Sequence, residues 1–245
     1  MAILELEGDL VVAPVEPVRV ERLLACEDVG MLVGVFEEIA ASEGWRHGGE
    51  LRAHSERSAY FGLWAVRKGF RAGGANAAKE LVGGLQLVRP DDAGMLPCQK
   101  LWPEIDIGSG AGAAYVAVLA VRREWRGKKD GKGNTAAACF WTLTGALWRH
   151  CMDSGITHLW LEVTPTMMRC YRLLGWPLEV RGPLRSHWGE DCYPCSLSLR
   201  ETAGALVEKA LRSRTYRQIV ETALNKSPAT VQKANPQDMS PGAIP

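Results

Sequence analysis

The sequence predicts an α/β (α+β) fold, a central mixed, twisted sheet with helices on both faces. Three observations carry this. Ala113 to Val121 is nearly all apolar, as a strand buried on both faces is, and Ile156 to Val163 reads as another buried strand. Each is followed by a stretch whose apolar residues recur at helical spacing, Thr135 to Ser154 and Thr166 to Leu174. Further strand-like runs flank this core, so the helices have a sheet to cover.

In chain order, residues 1–16 read as an extended lead-in, with Pro14 and Pro17 as punctuation. From Val18 to Ser42, Val20, Leu23, Leu24, Met31, Leu32, Val35, Phe36 and Ile39 recur near helical spacing, which predicts one or two amphipathic helices broken near Gly30. A polar loop from Glu43 to Arg57 leads into two strands, Ala59 to Val66 and Glu80 to Val88, joined by a Gly/Ala/Lys hairpin loop at Lys68 to Asn76. Pro90 to Gly112 holds turn formers together with Met95, Leu96, Leu101, Trp102 and Ile105, a packed excursion. Gly175 stands where a helix over Thr166 to Leu174 would stop. Trp176 to Val180 and Cys192 to Leu199 read as the last two strands, and Glu201 to Ala223 as a polar helix. The expected organisation is a lead-in at 1–16, one folded domain at 17–200, a C-terminal helix at 201–224 and a flexible tail at 225–245, where four prolines fall.

The 245 residues are 47% hydrophobic and 23% charged, enough for a core that buries about 70% of the unfolded surface. A net charge of +1 advertises neither nucleic acid nor an acidic membrane surface as partner. No run reaches the ~20 apolar residues of a membrane span, and the first twenty residues carry Glu5, Glu7 and Asp9 rather than the basic start of a secretory signal. Seven cysteines, an odd number, then read as free thiols in a reducing cytoplasm, the expected location.

The segment from Val118 to Asn134 carries the chemistry. A buried strand delivers the chain to a turn with Gly127, Gly131 and Gly133, and the turn opens a helix. Unpaired amides at a helix start bind phosphate, glycines let backbone approach a ligand closely, and Arg126, Lys128 and Lys132 add cationic donors. The reading is a cradle for a pyrophosphate or phosphopantetheine; a solvated basic loop fits this segment alone equally well. A P-loop would want Ser or Thr after Gly131-Lys132, where Gly133 stands, and a dinucleotide fingerprint finds only its first half in Gly131-Lys-Gly133.

Strand, Arg123-x-x-Arg126-Gly127, insert, Gly131-x-Gly133, helix, strand, then Cys170-Tyr171-Arg-Leu-Leu-Gly175-Trp176 resembles the acyl-CoA-binding core of the GNAT superfamily, a three-layer sandwich. The resemblance implies Tyr171 as the group that protonates the departing thiolate; a helix-face aromatic packed on the sheet is the other reading. It also implies that the amides of Leu119, Ala120 and Val121, exposed where the core strand splays from its neighbour, serve pantetheine and oxyanion, with Arg122, Arg126, Gly127, Lys128, Gly131, Lys132, Gly133 and Asn134 around the phosphates. Arg122, Arg123, Arg126, Lys128 and Lys129 would receive the phosphopantetheine and an acidic carrier protein.

Within that superfamily, Leu81-Val-Gly-Gly-Leu-Gln86-Leu-Val-Arg-Pro90, Met95-Leu96, Leu101-Trp-Pro-Glu104 and Gly175-Trp176-Pro177 through Gly182-Pro183 are similar to acyl-homoserine-lactone (autoinducer) synthases and N-acyl amino acid synthases over residues 20–200. Phe36, Trp45 and Glu50 fall in that family's mobile acceptor region. The family's core-strand glutamate and arginine are matched by Tyr115 and Val118, its Gly-x-x-Arg-Leu arginine by Gln86, and its acceptor acids by Arg52 and Ser55, beside Glu56. Trp45, Trp102 and Trp176 are candidates to line an acyl tunnel, against the commoner role of tryptophan in core packing. Glu162 on the second buried strand is the candidate general base, with Glu124 second; a structural acid is the alternative for each.

The implied activity is transfer of an acyl group from acyl-CoA or acyl-carrier protein, the phosphopantetheine co-substrates, to a small amine, with no tightly bound cofactor and no metal. The alternatives are an ordinary acetyltransferase using acetyl-CoA and a catalytically inactive module that binds an acyl thioester or a partner protein. Cys192-x-x-Cys195 with His187 nearby lacks the second pair of a zinc site, and His150 and Cys151, adjacent on a helix, point about 100° apart.

Overall fold

The computed structural model describes residues 18–46, 50, 55–66, 79–107, 112–126, 135–214, 216, 217 and 220. The lead-in, the 68–76 loop, Gly127 to Asn134 and the 225–245 tail lie outside them.

Among the described residues eight strands form the sheet. β1 (Val18–Leu23), β2 (Ser58–Val66), β3 (Lys79–Val88) and β4 (Ala113–Val121) make an antiparallel meander. β5 (His158–Val163) pairs parallel to β4, and β8 (Glu190–Ser198) returns antiparallel to β5. The short β6 (Glu179–Val180) and β7 (Arg185–His187) both pair with β8. The order is β1-β2-β3-β4-β5-β8-β6, with one parallel contact, β4 to β5.

That parallel pair needs a crossover. It runs through α2 (Arg123–Arg126) and α3 (Thr135–Asp153), and α4 (Pro165–Leu174) and α5 (Leu199–Arg212) join α3 on one face. α1 (Cys26–Glu43) covers the other face with the excursion around Trp102. The core is thereby split by the sheet. Leu85, Leu143, Leu159, Leu161, Leu197 and Tyr171 pack on the α3 side, Leu32, Phe36, Ile39 and Val118 on the α1 side. Among the described residues no helix is long and apolar enough to cross a membrane.

The mixed sheet with helices on both faces matches the sequence expectation, while several elements differ in detail. Val18 to Leu23 is an edge strand, not a helical turn, because its alternating residues pair with Tyr60 to Ala65. α1 runs unbroken through Gly30 and Gly34; each glycine costs a helix only about 1 kcal/mol, and the buried row Leu32, Val33, Val35, Phe36, Ile39 and Ala40 outweighs them. α4 starts where Thr164 caps it through Met167 N and stops at Gly175, whose φ of 80° suits glycine. α5 begins two residues earlier than expected because Ser198 caps Glu201 N. The strand β7 was not expected. It exists because Trp188-Gly189 forms a two-residue turn with positive φ at both positions, 54° and 91°.

Candidate active site

β4 and β5 pair only at four positions, Ala113↔His158, Ala114↔Leu159, Tyr115↔Trp160 and Val116↔Leu161. Beyond them β4 continues to Val121 on β3, and β5 to Val163 on β8. The two strands therefore part company, forming a fork. A bulge explains the parting. The β3–β4 register jumps between Gln86/Val118 and Leu87/Val116, leaving Ala117 as the extra residue, and Ala117 and Val118 both pack toward α1. Such a bulge bends its strand and increases its twist. Arg122 N donates to Val82 O at 2.8 Å. Counting back in alternation, the amides of Val118 and Ala120 face β3, and those of Leu119 and Val121 face the fork. Gly83 is necessary here: a Cβ on it would sit 2.4 Å from Ala120 O.

The fork joins the two faces of the sheet. On the α3 face, Tyr171 lies buried, stacked on Trp176 with ring centroids 5.1 Å apart and planes at 15°. Burial, then the nearby Cys170 and Cys195, push its phenol up to about 12, so it keeps its proton. Trp176 also lines an apolar cavity of about 140 Å³ between α3 and α5, with Trp141, Trp148, Leu159, Leu197 and Leu206. Its buried indole N–H has no acceptor among the described residues.

On the opposite face, the residues of β5 that alternate with Leu161 are Trp160 and Glu162. Glu162 stands one residue past the last β4–β5 pair, at the root of the fork. Tyr115 donates to its Oε1 at 2.6 Å, and its Oε2 meets His187 Nδ1. The far nitrogen of His187, Nε2, lies 3.3 Å from Glu50 Oε2, and Trp188 Nε1 donates to the same Glu50 oxygen at 2.9 Å. The result is a connected row, Tyr115–Glu162–His187–Glu50. Exposure rises along it, with side chains 11% exposed at Glu162, 23% at His187 and 57% at Glu50.

Electrostatics follow from the row. Burial is the largest influence on the His187 ring and lowers its pKa, but the hydrogen bond to Glu162 and the charges of Glu162 and Glu50 together raise it above the ordinary 6.5. Burial and the Glu162 charge and hydrogen bond hold the Tyr115 phenol well above its usual value, so it remains a donor. The ring of His187 stands edge-on to Trp102 and beside Trp188, and Trp188 leans on Trp45. A bulky residue at positive φ costs of order 1 kcal/mol; the contacts of Trp188 and the bond from Arg46 N to its carbonyl offset that and pin the hairpin.

Of the sequence-derived candidates, Glu162, Tyr115 and Glu50 are brought together, with Trp45 and Trp102 around them through Trp188 and His187. Tyr171 and Trp176 are together on the other face. Leu119 and Val121 present amides to the fork while Ala120 turns its amide to β3. Phe36 is wholly buried on the sheet-facing side of α1, and Gln86 is buried with its amide donating to Ser58 Oγ and Tyr60 Oη at 3.1 and 3.2 Å. Arg122 pairs with Glu38 at 2.6 Å and Glu80 at 3.3 Å, and Arg126 pairs with Glu43. Glu124 is exposed on α2. Gly127, Lys128, Gly131, Lys132, Gly133 and Asn134 lie outside the described residues. Cys192 and Cys195 belong to cores on opposite faces, as i and i+3 on a strand must. His187 as a member of the site escaped the sequence reading; the signal was Gly189 ahead of the alternating strand, paired with Trp in place of the usual Asn or Asp.

A mixed sheet forked between two parallel central strands, with helices on both faces, is a GNAT-like fold. Solved structures of three acyl-transferring synthases share it. The N-acyl amino acid synthase FeeM from uncultured soil microbes aligns with a TM-score of 0.59 at 14% identity, over 77% of this chain and 94% of that one. The CoA-dependent acyl-homoserine lactone synthase BjaI aligns at 0.57 and 15%, over 86% and 92%. The acyl-homoserine lactone synthase LasI aligns at 0.52 and 16%, over 77% and 93%. No family model matches the chain, and no curated protein matches it in sequence.

Proposed function

We infer that this chain is an N-acyltransferase, moving an acyl group from acyl-CoA or an acyl-carrier protein to a small amine. The observation that carries the reading is the fork, where the amides of Leu119 and Val121 face a gap with no strand opposite among the described residues. A pantetheine arm laid there completes the ladder that β5 abandons, and one amide is free to hold the oxyanion of the tetrahedral intermediate. The names of the similar structures, synthases of N-acyl amino acids and acyl-homoserine lactones, support the same class.

The two faces divide the work. On the α3 face Tyr171, protonated, offers its hydroxyl to the departing sulfur, and the acyl tail runs past the Tyr171–Trp176 stack into the 140 Å³ cavity. A space of that size suits a guest as large as benzene, so a short tail, about six carbons, or an aromatic one is expected to fit it best. On the opposite face the amine approaches Glu162 and its partners, where Glu50 attracts its positive charge. At the position where the sequence resemblance expects an acid on the core strand stands a phenol, Tyr115, and the carboxylate comes from the next strand.

The test is release of free thiol from acetyl-, hexanoyl- and dodecanoyl-CoA with a panel of amines, with products identified by mass spectrometry. Amine-dependent release, greatest for hexanoyl-CoA, is expected. Turnover of acetyl-CoA alone favours the acetyltransferase reading, and thioester binding without turnover of any amine favours a binding module.

A further inference from the structure

We propose that the acceptor amine gives its proton to His187, through Nε2, with Glu162 and behind it Tyr115 acting as positioning residues. This rests on the acyltransferase reading above. Both oxygens of Glu162 are engaged, one by Tyr115 and one by His187, and its side chain is only 11% exposed. Each oxygen keeps a second lone pair, but the carboxylate is buried behind His187 and is already held on both oxygens, so it is the less accessible acceptor for an incoming amine. The His187 ring is the more open group, and its outer nitrogen faces the exposed Glu50 at 3.3 Å. An ammonium arriving from solvent therefore meets Glu50 and Nε2 before it reaches Glu162.

The tautomer follows from the partners. Glu162 at Nδ1 and Glu50 at Nε2 each draw a ring proton; once the substrate ammonium occupies Glu50, the buried Glu162 keeps the proton on Nδ1 and the lone pair falls on Nε2, the logic by which a buried acid orients a catalytic imidazole. The titratable groups facing the ring are Glu162 from β5, Glu50 from the segment after α1 and, across the hairpin, Glu190; Tyr115 acts on it through Glu162. When the substrate ammonium pairs with Glu50, it cancels one of the charges that favour the imidazolium, and the ring is pushed toward the neutral form that accepts a proton. Of the two protons the ammonium loses, one passes to Nε2 and on to solvent. The amine lone pair forms the C–N bond, the C–S bond breaks with its electron pair on sulfur, and the second proton ends on that thiolate.

The experiment measures kcat/KM against pH with hexanoyl-CoA and two acceptors, butylamine, which must be deprotonated, and hydroxylamine, which is already neutral at pH 7. His187→Ala is expected to lower turnover of butylamine about 100-fold more than that of hydroxylamine, the range of general-base catalysis, with partial rescue by added imidazole. His187→Asn, which keeps a donor toward Glu162, is the second variant should the alanine protein fail to fold, and it carries the same expectation. Glu162→Gln is expected to move the acidic limb of the butylamine profile to lower pH without abolishing it. The proposal is overturned if His187 variants lose both acceptors equally, or if the limb survives in them and vanishes in Glu162→Gln. Wild-type protein that turns over neither amine with any thioester sinks the acyltransferase reading itself, a result distinct from either.

Discussion

Tyr115 and Glu162 are joined by a 2.6 Å hydrogen bond across the two parallel strands of the sheet, at the point where those strands separate. The bond fixes the carboxylate at the root of the fork and aims its second oxygen at His187. A hydrogen bond to a charged group is worth about 2 kcal/mol. Tyr115→Phe is therefore expected to lower the unfolding free energy by about that amount in urea denaturation. An unchanged midpoint would show that the bond does not hold the site.

The raised pKa of His187 ties stability to pH. Because the folded protein holds the ring proton more tightly than the unfolded chain, this contribution is complete below the ordinary 6.5 and is lost as pH climbs through the higher folded value. Urea midpoints measured from pH 5.5 to 9 should fall over that window in the wild type, and His187→Gln should flatten the fall. A midpoint that rises there would reverse the assignment.

Much of this was legible in the sequence, and the rest was not for identifiable reasons. The two buried strands and the Gly175 stop followed from apolar runs and helix capping, while the family likeness pointed to the amides of Leu119, Ala120 and Val121 without showing that the middle one turns to β3. Glu162 was visible as an acid inside an apolar strand. Its partners were not, because Tyr115 and His187 reach it from positions 47 and 25 residues away, and pairing across a sheet leaves no local pattern. β1 was hidden because a six-residue amphipathic edge strand running into a helix imitates helical spacing. The basic residues of the turn looked like free phosphate ligands, yet Arg122 and Arg126 are bridged to α1 acids that lie more than 80 residues earlier.

Gly83 is the glycine on which the fork most depends. Gly83→Ala would set a methyl 2.4 Å from Ala120 O and 2.7 Å from Val121 Cα, both backbone atoms that cannot rotate away. Overpacking of this kind costs about 1–3 kcal/mol, and the shift falls on the stretch of β4 that bears the fork amides. A lower melting temperature together with weaker acyl-CoA binding by calorimetry is expected. Unchanged binding would separate β4 from the donor.

The cavity makes a prediction about acyl length. Ala203 lines it from α5, so Ala203→Phe fills it. Each methylene kept out of an apolar pocket forfeits ~0.8 kcal/mol, and kcat/KM for hexanoyl-CoA should fall about tenfold or more relative to acetyl-CoA. An unchanged ratio would remove the tail from this cavity.

The proposal that the fork binds the donor is tested most directly by following the backbone amides of β4 by nuclear magnetic resonance while hexanoyl-CoA is added. The resonances of Leu119 and Val121 should move with the ligand, and those of Val118 and Ala120, already bonded to β3, much less. Movement confined to residues away from β4, or none at saturating thioester, would contradict a donor held between β4 and β5.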